Sequence, residues 1–492
     1  MAKKNNDIII QVGVNRCKLI GGIKVLMPVQ KALSLRNKNA YYLRSNGYMP
    51  AGWDGYNQYV SDIGTFDTGL LPEVVRQVEK VSKRDILMVD HREISLEIKV
   101  PKDLNGIIPR PYQVEAVKKV VENTIGELQF PQGILAAATN AGKTIIAALV
   151  HRSVKGAKTV FLINQSDLYE DAIRDIPDLL GPNEVGHMRG PDVKWGNFMI
   201  CMVPTLRSKM PLVVGKLGAY NTLVFDECDT ALAPTNKKIM QKFYNAHVKV
   251  GMSGSVDTHK DPNKNRKLHA MFGDTVFTIK NHELQEMGHS SPVKVRILKG
   301  NEEVHYKGDY DAEYENGITF NKKRNNRIVK RVGFMLAKKR YPMMIITPKH
   351  NHINELYHLI NDRYGDAYRV EMVHHKTKER KAFQRDFEEG KIDIFIASYI
   401  LKRGKNFPLM RYLCNAGGGL SAANVLQILG RILRRYPGKQ KMKFIDDFWD
   451  QGAYLKRHSK HRWTVYKSEK LLLNDSIIKS KTARKHANRK KS

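Results

Sequence analysis

The stretch ILAAATNAGKTIIAAL, from Ile134 to Leu149, decides the fold. It opens with a short apolar run, which reads as a buried strand, and closes with the periodicity of a helix. Between them, Ala137 stands first and Gly142, Lys143 and Thr144 stand last in the spacing of a phosphate-binding loop. The chemistry explains the residue types. Compact residues at Ala137, Ala138, Thr139, Asn140, Ala141 and Gly142 let successive backbone N–H groups face a phosphate chain. Lys143 can reach the β and γ phosphates of ATP as a point charge, and the Thr144 hydroxyl can bind Mg2+. The helix beginning near Lys143 adds the positive end of its dipole.

Such a loop needs a carboxylate at the end of another strand, and NTLVFDECDTAL, from Asn221 to Leu232, supplies one. Apolar and β-branched residues run into Asp226, so the acid emerges at the carboxyl edge of a sheet, where open α/β folds bind ligands. Asp226 is the candidate Mg2+ partner. Glu227 is the candidate base that orients an attacking water.

Outward from this pair, GILAAAT, TVFLINQ, NFMICMV, TLVFDE and VKVGMSGS read as parallel strands joined by helices such as KTIIAALVHRSV and DLYEDAIRDI. The alternation restarts after EMGHSSPVKVRILKG, with PMMIITP, RVEMVHH, DIFIASYI and KMKFIDDF as strands. The expected fold class is therefore α/β, with two tandem doubly wound domains over 106–290 and 291–455. A small α+β module over 1–105 precedes them, and a basic tail over 456–492 follows.

The formal net charge is +34, and removing the seven cations of the last fourteen residues still leaves +27. An excess spread over folded parts points to a polyanion, first of all nucleic acid. The four cysteines, Cys17, Cys201, Cys228 and Cys414, form no CxxC pair, which argues against a zinc site or a disulfide framework. No apolar run approaches a membrane span, and the start, MAKKNNDIIIQVGV, has too short an apolar run for a signal peptide. The expectation is a protein of the cytoplasm, with no membrane partner, monomeric or weakly self-associating.

Two further stretches, IPRPYQVEAV upstream of the loop and NVLQILGRILRR in the second domain, complete an order of motifs that resembles the superfamily 2 helicases. The likeness spans about residues 106 to 450 and implies two RecA-like domains. It also implies roles. Gln113, with Arg110 and Tyr112, matches the adenine-recognition motif, and Ser253, Gly254 and Ser255 match the motif coupling hydrolysis to domain motion. Gln427, Arg431 and Arg434 match QxxGRxxR, whose arginines reach the γ phosphate. Within the superfamily, WDGYNQYV and GDTVFTIKNHELQEMGHSSPVKV resemble the phage UvsW-type branch-migration helicases. Asn140 in the loop, SGS in place of SAT or TAT, and Asn406 in place of aspartate depart from the common pattern.

The resemblance also implies nucleic-acid contacts at Asn164, Gln165, Thr205, Thr347 and Ser398, where ordinary helix capping is the competing reading. YYLRSNGYMPAGWDGYNQY, from Tyr41 to Tyr59, reads either as a stacking platform for unpaired bases or as the core of a small domain. His374 and His375 read as loop residues, not metal ligands. The function expected is ATP-dependent remodelling of DNA, whether branched, duplex, single-stranded or paired with RNA. The rivals are an RNA helicase, the motor of a nuclease or restriction system suggested by Asp90, Glu97 and Lys99, and a binding protein with a decayed motor.

Overall fold

The computed structural model describes residues 8–50, 52–92, 94, 96–254, 256, 261–301, 308–374, 376–398, 407–419 and 442–473. The chain divides into two compact units. One comprises Met1–Ala137 and Ala141–Ile279, and the other Lys280–Ser492 grouped with Ala138–Asn140. The N-terminal module thus shares a unit with the first α/β domain, and the division falls earlier than the expected boundary at 290.

The first unit is built on an eight-stranded sheet. Across it run Asp192–Lys194, Val185–Arg189, Phe198–Met202, Thr159–Ile163, Thr222–Asp226, Val248–Ser253, Gln132–Ala137 and Thr275–Ile279. Only the edge strand Asp192–Lys194 pairs antiparallel. The central strands Thr159–Ile163, Phe198–Met202 and Thr222–Asp226 are buried along their whole length because helices cover both faces, which explains their uninterrupted apolar sequences. Val248–Ser253 lies between the phosphate-loop strand and the Asp226 strand, with Asp226 opposite Met252 and Ser253 opposite Ala136. Register therefore brings Ala137, Ser253 and Asp226 to one sheet edge.

The N-terminal module has a mixed four-stranded sheet of Thr65–Asp67, Arg16–Ile20, Ile8–Val12 and Ile86–Asp90. Helix Leu71–Val81 buries Leu71, Val74 and Val78, one face at helical spacing, against the same core as Ile8, Ile10, Val12 and Phe66. Phe130 and Ala270 of the α/β domain belong to that core too, so the apolar packing runs without a break from one to the other. Polar ties reinforce the seam. Lys249, buried on the central strand Val248–Ser253, donates to the Val14 carbonyl and to Asn15 Oδ1 at 2.5 and 2.8 Å. Burial pushes its pKa down to about 8. Asn263 accepts from Asn57 Nδ2 at 2.6 Å and donates to the Arg36 carbonyl at 2.8 Å.

The second unit carries a wholly parallel six-stranded sheet in the order Val293–Lys299, Lys443–Trp449, Tyr412–Asn415, Met343–Ile346, Ile394–Ala397 and Val370–Val373. Three buried carboxylates cluster on and after its second strand, each matched to arginine. Asp446 meets Arg296 and Arg331, Asp447 meets Arg462, and Asp450 meets Arg324. Burial nevertheless raises the Asp446 pKa.

The expected tail from residue 456 needs correction. Ala453–Ser468 is a helix, and its Arg462 and Tyr466 are buried on Asp447, at 2.9 and 2.7 Å. Its basic sequence concealed this because one arginine points inward to a carboxylate that composition does not reveal. The first turn is held by Glu313, whose carboxylate accepts the N–H groups of Ala453, Tyr454 and Leu455. Residues 474–492 lie outside the described part.

Candidate nucleotide-binding and hydrolysis site

The phosphate loop leaves the strand Gln132–Ala137 and enters the helix Lys143–Ser153 through two left-handed residues, Asn140 (φ 77°) and Gly142 (φ 77°). Asparagine is among the few side chains that tolerate this region, which accounts for the departure at position 140. Gly142 has a second reason to be glycine. A Cβ there would collide with the Gln113 amide.

Gln113 is only 1% exposed, and each end of its amide makes one hydrogen bond inside the protein. Its Oε1 accepts the Arg110 N–H at 2.9 Å and its Nε2 donates to the Ala141 carbonyl at 2.8 Å. Tyr112 donates to the same carbonyl at 3.0 Å and accepts from Arg110 Nη1 at 2.9 Å. The assignment of Gln113 to adenine rests on its motif alone. In this structure Arg110, Tyr112 and Gln113 brace the loop from behind.

At the sheet edge the loop lysine meets the acids. Lys143 Nζ lies 3.2 Å from Asp226 Oδ1 and is also hydrogen-bonded to Glu227 Oε1. Burial opposes charge on Lys143, but Asp226 and Glu227 outweigh it and drive its pKa up. Glu227 is likewise raised, by burial first and by its neighbours Asp226 and Asp229, against the pull of Lys143. Its backbone is left-handed, with φ 51° and ψ 53°, a conformation that costs a non-glycine residue about 1–3 kcal/mol. Asp226 Oδ1 accepts the Glu227 N–H at 2.9 Å, and a turn through Thr230 holds the other side.

Ser253 joins this cluster by donating to Asp229 Oδ1 at 2.9 Å and approaching Glu227 Oε2 at 3.4 Å. Asp229 had no expected role, although the third acid of DECD was a visible signal. Three carboxylates against one lysine leave an excess of hard oxygen donors. That chemistry fits Mg2+, which takes one or two carboxylates together with substrate phosphates.

The other expected residues divide. Asn164 follows the strand Thr159–Ile163 at the same sheet edge, with Gln165 at the start of the next helix, and Asn164 Nδ2 donates to Thr230 Oγ1 at 2.5 Å. Thr205 accepts the Gly190 N–H at 3.1 Å. Ser398 stands at the end of the strand Ile394–Ala397. Thr347 is a correction. It is fully buried, its hydroxyl bonded to His352 Nδ1 at 2.9 Å, so it is core and not track. Gly254 follows Ser253, whereas Ser255, Gln427, Arg431 and Arg434 lie outside the described residues.

A braced phosphate loop, a lysine among strand-end acids and two parallel α/β units define a class. The chain is a superfamily 2 helicase and an ATP hydrolase, with two RecA-like domains. Residues 106–257 match the family model described as type III restriction enzyme, res subunit, and residues 324–436 match the helicase conserved C-terminal domain. Among curated proteins it is similar to the ATP-dependent DNA helicase uvsW of Enterobacteria phage T4. The two are 24% identical over 420 residues, covering 82% of this chain and 79% of that one. A candidate helicase of the Sulfolobus islandicus filamentous virus is 20% identical over 384 residues, covering 71% and 66% of the two chains. A fragment assigned to the HsdR subunit of a type I restriction enzyme from Vibrio vulnificus shares the fold. Its TM-score is 0.53 and its identity 19%, with 72% of this chain and 65% of that one covered.

Proposed function

We propose that this helicase is a DNA translocase that remodels branched substrates, by junction branch migration, fork regression or R-loop unwinding. In its ATP cycle Lys143 holds the β and γ phosphates, Glu227 orients the water, and Ser253 and Gly254 report the state of the site through Asp229 and Glu227. Thr144 and Asp226 would hold Mg2+, which when bound offsets the charge on the phosphates. Arg431 and Arg434 are assigned to the γ phosphate by their motif alone. Asn164, Gln165, Thr205 and Ser398 are assigned to the polynucleotide backbone.

One observation carries the substrate reading. In the N-terminal module the helix Ala40–Ser45 buries none of its residues, and Tyr41, Tyr42 and Tyr48 are 87%, 57% and 67% exposed. Of the two readings of this aromatic stretch, packed core does not fit those rings. Arg44 stands among them, and a cationic aromatic face suits unpaired bases and their phosphates. The nuclease rival has less support. Asp90 is paired with the buried Arg92 and Glu97 with Lys155.

The test is the ATPase rate with single-stranded DNA, duplex, a four-way junction, an RNA–DNA hybrid and structured RNA. Branched DNA or hybrid should stimulate most; stimulation by RNA alone would transfer the motor to RNA. Replacing Tyr41 and Tyr42 together by alanine should weaken binding of a forked DNA by about tenfold or more, since each stacked base contributes about 1–3 kcal/mol. An unchanged dissociation constant would remove the platform.

A further inference from the structure

Asn164 and Glu227 are assigned to different ligands, a strand phosphate and a water, yet a third residue connects them. Asn164 Nδ2 donates to the Thr230 hydroxyl at 2.5 Å, and that hydroxyl donates to the Glu227 carbonyl at 2.7 Å. The Thr230 N–H donates to the same carbonyl at 2.9 Å. Chemistry fixes the direction of this chain. An amide nitrogen has only protons to give and a carbonyl only lone pairs, so the hydroxyl between them must accept from one and donate to the other. Each bond in such a chain polarises the next.

The chain ends on a residue that needs holding. Glu227 sits in a left-handed conformation, and its carboxylate is engaged by Lys143. In this arrangement the lysine and the base are occupied with each other. An Asn164 amide that turned to a phosphate oxygen would form a charge-assisted bond, which is stronger than a neutral one to a hydroxyl. Thr230 would then lose its donor, and the grip on the Glu227 carbonyl would weaken.

We infer that Thr230 is a positioning residue that, with Asn164, couples occupancy of the strand-binding loop to release of Glu227 from its resting place. This rests on the reading of Asn164 as a backbone contact and Glu227 as the base. Because coupling between two sites is reciprocal, it makes two forecasts. Without the hydroxyl, the Glu227 carbonyl keeps only the Thr230 N–H and is held less firmly with no strand bound, and Asn164 loses its partner within the protein and can turn to a strand.

The test compares Thr230→Val with Thr230→Ser. In Thr230→Val the strand-free ATPase rate should rise while the strand-saturated rate is kept, so that the stimulation ratio falls about tenfold, within the usual range of coupling. A single-stranded DNA oligonucleotide should also bind it more tightly, read by fluorescence anisotropy. Thr230→Ser, which keeps the hydroxyl, should match wild type in both. An unchanged ratio in Thr230→Val, or a ratio lowered only by collapse of the strand-saturated rate, would overturn the inference and leave the motor reading standing. A wild-type enzyme that no polynucleotide stimulates would sink both.

Discussion

Glu227→Gln is expected to lower ATP turnover by about 10²- to 10⁴-fold, the usual contribution of a positioned acid–base group, while nucleotide binding is retained. The amide keeps the shape of the side chain and loses the basicity. Lys143 keeps Asp226 at 3.2 Å, so the loop itself should not be lost. A rate close to wild type would show that the base lies elsewhere. The wild-type pH profile offers a second check. Burial and the adjacent acids raise the Glu227 pKa, so protonation removes the base at a higher pH than for an ordinary glutamate. Turnover should fall as pH drops through that raised value, and the variant should lack this limb.

The second large effect is on stability. Arg462→Met should destabilise the second unit by about 3–5 kcal/mol, because Asp447 would keep a buried charge without its cation. Asn415 and Tyr466 would still donate to Asp447 at 3.0 and 2.7 Å, but neither is charged. In thermal unfolding the transition of that unit should drop by on the order of 10 °C. Arg462→Met combined with Asp447→Leu should recover part of the loss, since removing both charges of a buried pair is far milder than removing one. A double variant no better than the single one would mean that the pair does more than neutralise charge.

The strands of both sheets were legible because parallel strands covered on two faces must be continuously apolar, as Thr159–Ile163 and Met343–Ile346 are. The outer pair Val185–Arg189 and Asp192–Lys194 of the first sheet was not, because its glycine, histidine and charged residues leave no continuous apolar run to separate it from loop. The site followed the same logic. Lys143, Asp226 and Glu227 are local motifs at the ends of strands, and register alone brings them together. Asp229 and Thr230 act through partners distant in sequence, which one chain read linearly does not pair. Thr347 misled because a hydroxyl after a strand looks alike whether it faces solvent or a buried histidine. His352 takes up that hydroxyl and is kept neutral by burial, which pushes its pKa well below the ordinary histidine value.

The seam between the N-terminal module and the first RecA-like domain gives the tyrosine face a fixed mounting. Its ties run from Lys249, four residues ahead of Ser253 on the same strand, and from Asn263 to the Arg36 carbonyl, close to the exposed tyrosines. A platform bolted down in this way behaves as an outrigger and not as a trailing tether. On the proposed DNA reading, a base stacked there would keep a constant distance from the first RecA-like domain, and each advance of that domain would displace the fork by the same length, without slack.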